Sequence, residues 1–289
     1  MDVKALAAQA LREYFASDAP LSNAEDPTHF RTQMMCGSGS DDSDATAAVE
    51  KDVTEDSPSA SSTVEGVLSS FSSPAAYVDQ LAVVLASWYV IKQNPMLQLP
   101  EAIAGVAEAP SSREMLLSLP MEVVDNCIEQ IITSEDTHSR VEYTAAFIER
   151  LGGARGVLTL LGFRQTVGSR NICPLTRAQC MDSFQQQHGK VKLTVGARAF
   201  TKHCERSSDG WWGPLKGNDE RKNQVALAKL EQILDGGVWK NVHSLPHAHV
   251  TMEIRNALGF GARWTVMDQA FRGFLEPQMA NGHDTRWRH

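Results

Sequence analysis

The stretch HAHVTMEIR, residues 247–255, alternates strictly between polar and apolar side chains. A period of two belongs to a half-buried β-strand, whose successive side chains leave opposite faces. His247, His249, Thr251, Glu253 and Arg255 therefore share one face, and Ala248, Val250, Met252 and Ile254 the other. Three more short alternating segments surround it: VWKNVHSLP (238–246), ARWTVM (262–267) and FRGFLEP (271–277). They predict a small, mostly antiparallel sheet, with Met267, Asp268 and Gln269 as one turn. Two helices precede it, VGARAFTKHCERS (195–207) and NDERKNQVALAKLEQILDGG (218–237). Asn218 or Asp219 caps the second, and Gly236 and Gly237 stop it. Residues 190–289 thus read as an α+β domain.

Charge supports a boundary upstream. From residue 190 onward the chain holds 15 Lys and Arg against 10 Asp and Glu, a balance of +5, although the net charge of all 289 residues is −8. The residues before 190 are strongly acidic by difference, which argues for two separately built parts. Five of the six tryptophans, Trp211, Trp212, Trp239, Trp264 and Trp287, also lie in the basic part. Ahead of it, residues 1–35 read as an amphipathic helix and tail. Residues 36–73 read as an acidic, Ser-rich linker too poor in apolar groups to offset chain entropy. Residues 74–168 carry helical periodicity throughout, from AAYVDQLAVVLASWYVIKQ to GGARGVLTLLGF, and 169–189 form a connector with one helix. The five cysteines, Cys36, Cys127, Cys173, Cys180 and Cys204, lack metal or redox spacing and read as reduced thiols. No run is long and apolar enough for a membrane span and no secretory leader is apparent, so cytosol or nucleus is expected.

Within residues 115–163 a specific pattern appears. A helix ends on Ile128, Ile131 and Ile132; a polar turn and Arg140 follow; then come Ala145, Ala146, Phe147 and Arg150, and a glycine-led helix from Gly153 through Leu158, Leu161, Gly162 and Phe163. This pattern resembles the PUB (PUG) domain, a small helical bundle of ubiquitin-pathway adaptors. Spacing along the chain thus predicts an α+β fold overall, and the resemblance makes its all-α part a PUB-like bundle ahead of the small α+β domain. It also implies a protein partner, the C-terminal peptide tail of a valosin-containing-protein-type AAA ATPase, gripped around His138, Arg140, Tyr143 and Thr144. The C-terminal part further resembles a plant and protist family of unassigned activity.

The adaptor is the favoured function, with the C-terminal domain binding a second partner or an anionic ligand. Arg198, Lys202, His203 and Arg206 fall near one helical face, and Arg272 and His283 add charge from the sheet region and tail. Basic side chains interleaved with aromatics suit phosphate or nucleic acid. The rival class is a hydrolase or phosphoesterase whose site lies on the sheet. There His247 or His249 exchanges protons, Glu253 orients a histidine, and Arg255 and Arg263 hold an oxyanion. A metal is not expected: His247 and His249 would stand roughly 6.5 to 7 Å apart on a strand and lack an evident third ligand. Nor is any cofactor expected; the G-x-G at Gly259 and Gly261 precedes no helix.

Overall fold

The computed structural model describes residues 1–37, 63–187, 189, 192–206, 210–244 and 249–278. Among them are eleven α-helices, one short 3-10 turn (Pro95–Gln98) and a four-stranded antiparallel sheet, an α+β fold with its helical part first. The helices are α1 (Val3–Ala16), α2 (Pro27–Met35), α3 (Val64–Ser69), α4 (Tyr77–Ile91), α5 (Ser111–Leu117), α6 (Met121–Thr133), α7 (Thr137–Arg150), α8 (Gly153–Leu160), α9 (Arg177–Gln185), α10 (Val195–Arg206) and α11 (Asp219–Asp235). The strands are β1 (Gly237–His243), β2 (Thr251–Asn256), β3 (Gly261–Thr265) and β4 (Ala270–Leu275), in the order β1-β2-β3-β4.

Local chemistry starts these helices. Asp2, Asp26, Thr63, Asp136 and Asn218 each accept a backbone N–H of the first turn, satisfying donors that the helix itself cannot reach. At α9 the bond is reciprocal, a capping box between Thr176 and Gln179. In the helical part α1 packs on α4 and α7, and α7 on α6 and α8. The N-terminal helix is a wall of this bundle, with Ala10 and Tyr14 fully buried.

Part of the segment expected to be linker is folded. Residues 38–62 lie outside the described residues, but α3 follows directly, with Val64, Val67 and Leu68 buried. Those three residues form an i, i+3, i+4 apolar stripe that the surrounding serines hide from any reading by composition. Phe71 continues the contact and donates its backbone N–H to the Leu234 carbonyl of α11.

Most of the buried apolar residues form one connected cluster from Ala7 to Phe274. One face of the sheet contributes Val242, Met252, Ile254, Ala262, Trp264, Phe271 and Phe274 to it. Phe184 of α9 meets Phe271 edge-on at 4.9 Å between ring centres, and Phe200 of α10 meets Phe274 at 5.4 Å. The outer edge of β1 does not face water. Residues 163–170, leaving α8, run along it: Arg164 donates its N–H to the Lys240 carbonyl, Arg170 to Val242, and Ser244 donates back to Gly168. The chain reaches this edge through Gly162, whose φ of +81 would strain any other residue and whose absent Cβ would collide with the Leu68 carbonyl at 2.2 Å.

Candidate functional site on the sheet

The register of the four strands decides which side chains share the second face. His243 pairs with Thr251 and Thr251 with Thr265; Asn241 pairs with Glu253 and Glu253 with Arg263; Trp239 pairs with Arg255. Residues paired across antiparallel strands project from the same side. The face opposite the core therefore carries Trp239, Asn241 and His243 from β1, Thr251, Glu253 and Arg255 from β2, and Arg263 and Thr265 from β3. A β-bulge adds to it: Arg263 pairs with Gly273 but Trp264 pairs with Phe271, leaving Arg272 as the inserted residue opposite Arg263. Such insertions re-aim side chains beside sites. Arg263 and Arg272 are both exposed.

At the centre lies Glu253, only 6% exposed. Its Oε2 is 3.2 Å from His243 Nε2, and its Oε1 accepts from Arg255 Nε. Burial works to raise the Glu253 pKa, but the His243 hydrogen bond and the Arg255 charge outweigh it and hold the carboxyl below its ordinary value. Glu253 is thus a carboxylate, which can only accept, so His243 carries its proton on Nε2 and its Nδ1 is the basic nitrogen. Arg255 is fixed in turn by the carbonyls of Gly259 at 2.6 Å and Glu276 at 2.8 Å. The result is a braced histidine on β1, half-buried beside an anchored ion pair, on the same face as two exposed arginines of β3 and β4.

The β1 side of the site is built by the segment from the helical part. Ser169 donates its hydroxyl to Asn241 Oδ1 at 2.8 Å, and Asn241 Nδ2 donates to Thr166 Oγ1 at 3.1 Å. Asn241 is fully buried, and these bonds account for both ends of its amide. At the Trp239 end, Glu108 accepts from Trp239 Nε1 at 2.9 Å and from Arg164 Nη2 at 3.0 Å, with Arg164 Nε also 3.0 Å from its second oxygen.

The sequence candidates separate under this geometry. Glu253, Arg255, Arg263 and Arg272 do come together. His247, expected beside them, lies outside the described residues, as does His283. The strand begins at Thr251 instead of His247. The last β1–β2 pair is His243 with Thr251, so His249 falls in the connection, where it is exposed. The histidine that meets Glu253 is His243, which alternation in VWKNVH would have placed on one face with Trp239 and Asn241. Asn241, Thr166 and Ser169 were also missed, because their role depends on a pairing made across the chain.

The α10 group lies elsewhere. Arg198 and Lys202 are exposed on a helix that packs against the opposite face, while His203 Nε2 is 2.8 Å from Glu276 Oε1, which also accepts from Trp212 Nε1. Arg206 ends that helix. In the helical part, Arg140 donates to both oxygens of Glu13, at 2.7 and 2.8 Å, and to the carbonyls of Ser134 and Glu135. Thr144 is buried and donates its hydroxyl to the Arg140 carbonyl; His138 lies 3.3 Å from Glu142 on the surface, and Tyr143 is exposed. Among the described residues no three His, Cys, Asp or Glu side chains converge as metal ligands, and no helix is long and apolar enough to cross a membrane.

The CdiA C-terminal tRNase toxin domain matches residues 182–276, about a third of the chain. No curated protein and no solved structure matches. The matched span begins within α9 and ends at Glu276, so it holds α10, α11, the whole sheet and every charged residue of the polar face. This finding overturns the PUB resemblance and the plant and protist family, and with them the adaptor function, the ubiquitin-pathway setting and the ATPase-tail partner. The apolar spacing in 115–163 is core periodicity: Ile128, Phe147, Leu158 and Leu161 are all buried, as in any helical bundle.

Proposed function

We propose that this protein is a ribonuclease acting on RNA of the tRNA class through the polar face of its sheet. The observation that carries the reading is the His243–Glu253–Arg255 constellation lying inside the span similar to a tRNase domain. Cleavage of RNA needs little more than proton transfer at a 2′-hydroxyl and charge stabilisation at the adjacent phosphate. His243 Nδ1 takes the 2′-hydroxyl proton while Glu253 stabilises the imidazolium that forms. The 2′-oxygen bonds to phosphorus, the bond from phosphorus to the 5′-oxygen breaks, and the departing oxygen takes a proton from solvent. The products are a 2′,3′-cyclic phosphate and a 5′-hydroxyl. Arg263 and Arg272, exposed on the same face, hold the phosphate and its developing charge. Arg255 is committed to Glu253 and two carbonyls, so its part is positioning.

The test is incubation of purified protein with total tRNA, with end-group analysis of the products. Cyclic phosphate and 5′-hydroxyl termini are expected. His243→Ala should lower kcat about 10²- to 10⁴-fold, the range for loss of a general base, and Arg263→Ala should act mainly on KM. Intact tRNA after prolonged incubation with wild type, or full activity in His243→Ala, would refute the proposal.

A further inference from the structure

We infer that the turn at residues 166–169, supplied by the helical part, is a nucleobase-contacting lip of this site, with Val167 as its contact residue. The inference rests on the ribonuclease reading and deepens it, because the turn lies outside the span similar to the tRNase domain. Val167 is 100% exposed, the most exposed of the large apolar residues described. Its turn is nonetheless held firmly. Ser169 donates its N–H to the Thr166 carbonyl at 3.1 Å, the Thr166 N–H donates to Ser169 Oγ at 2.8 Å, and both hydroxyls bond Asn241. A rigid turn that leaves an apolar side chain entirely in water gains nothing for the fold from it.

Position supplies the purpose. Ser169 pairs directly with His243, so Val167 stands two residues from the partner of the proposed base. The other rim of the same end is formed by the β3–β4 turn: Val266 donates its N–H to the Val250 carbonyl at 2.9 Å, continuing the Thr251–Thr265 register by one residue, and Met267 and His249, the next residues on either side, are both exposed. The His243 end of the face is thus flanked by two exposed apolar side chains and an imidazole. The opposite end is closed by Trp239, Glu108 and Arg164. An RNA strand laid across the sheet from Arg263 and Arg272 on β3 and β4 toward β1 has a polar sugar-phosphate chain and apolar base faces. The arginines serve the first and the lip serves the second, since any base offers a π-face to an apolar side chain.

Val167→Asp and Val167→Ile test this without endangering the fold, as the side chain touches nothing. Kinetics on tRNA are measured beside binding of fluorescein-labelled tRNA to the same variants carrying His243→Ala. Val167→Asp is expected to raise KM and Kd about tenfold with kcat held within about threefold, and Val167→Ile, which keeps an apolar contact, to bind tRNA more tightly than Val167→Asp. Cleavage and binding by Val167→Asp within twofold of wild type would overturn the lip while leaving the ribonuclease standing. A wild type that binds tRNA without cutting it, with binding weakened by Val167→Asp, would remove the ribonuclease and keep the lip. Absence of both binding and cleavage would overturn both.

Discussion

Lys240 sits on the strand edge between the two parts of the chain, 1% exposed, where an ammonium is costly. Its amine donates to the carbonyls of Val67 at 2.6 Å and Ser70 at 3.0 Å, at the end of α3, where helix carbonyls lack partners. Burial pulls its pKa down to about 7, and a neutral amine still has two hydrogens for the two carbonyls. Between that value and the ordinary lysine value near ~10.5 the unfolded chain binds a proton that the folded chain does not. Stability from this group therefore rises with pH across that window, and its cost is fully present below about 7. Denaturant unfolding from pH 7 to 9.5 should show wild type gaining stability relative to Lys240→Met, by an amount on the order of a few kcal/mol. Parallel pH profiles for the two proteins would show that Lys240 is charged throughout.

At the scale of elements, the bulge in β4 is the feature with the most leverage on the site. Gly273 holds φ at +142, and a Cβ there would meet nothing within 4 Å, so the cost of a side chain is backbone strain alone. Gly273→Ala should lose about 1–3 kcal/mol of stability and, by shifting the inserted Arg272, raise KM for RNA more than it lowers kcat. Calorimetry together with kinetics checks this; wild-type melting with wild-type KM would show the bulge to be incidental. The strands, α10 and α11 were legible from alternation, caps and glycine stops. The start of β2 was not, because HAHVTMEIR keeps its alternation beyond the last cross-strand pair. Alternation records which face a residue would take, whereas strand length depends on how far the neighbour extends.

At the scale of the molecule, Glu108 joins the loop ahead of α5 to both Arg164 and Trp239. Arg164 is 3% exposed, so removing its carboxylate partner strands a buried charge, at a cost of about 3–5 kcal/mol. Because most of the buried apolar residues form one cluster across both parts, Glu108→Ala should lower a single unfolding transition, with tryptophan fluorescence and far-ultraviolet dichroism moving together. Two separated transitions, with only one displaced, would mean that the helical part and the sheet melt independently. The charge step at residue 190 reads as a seam between such parts. The structure instead lays residues 163–170 of the acidic part against the basic sheet, and charge counted along the chain has no access to that contact.

What the sequence determined by itself was periodicity and its consequences. An α+β chain, a helical part before a meander of short strands, the helix caps, and one strand face carrying Thr251, Glu253 and Arg255 all follow from spacing over a few residues. Tertiary structure alone decided which histidine completes the site, since His243 meets Glu253 only through a cross-strand register. It also decided that a turn from the helical part walls that site. Those outcomes depend on contacts between residues far apart in the chain, and local spacing carries no information about such partners.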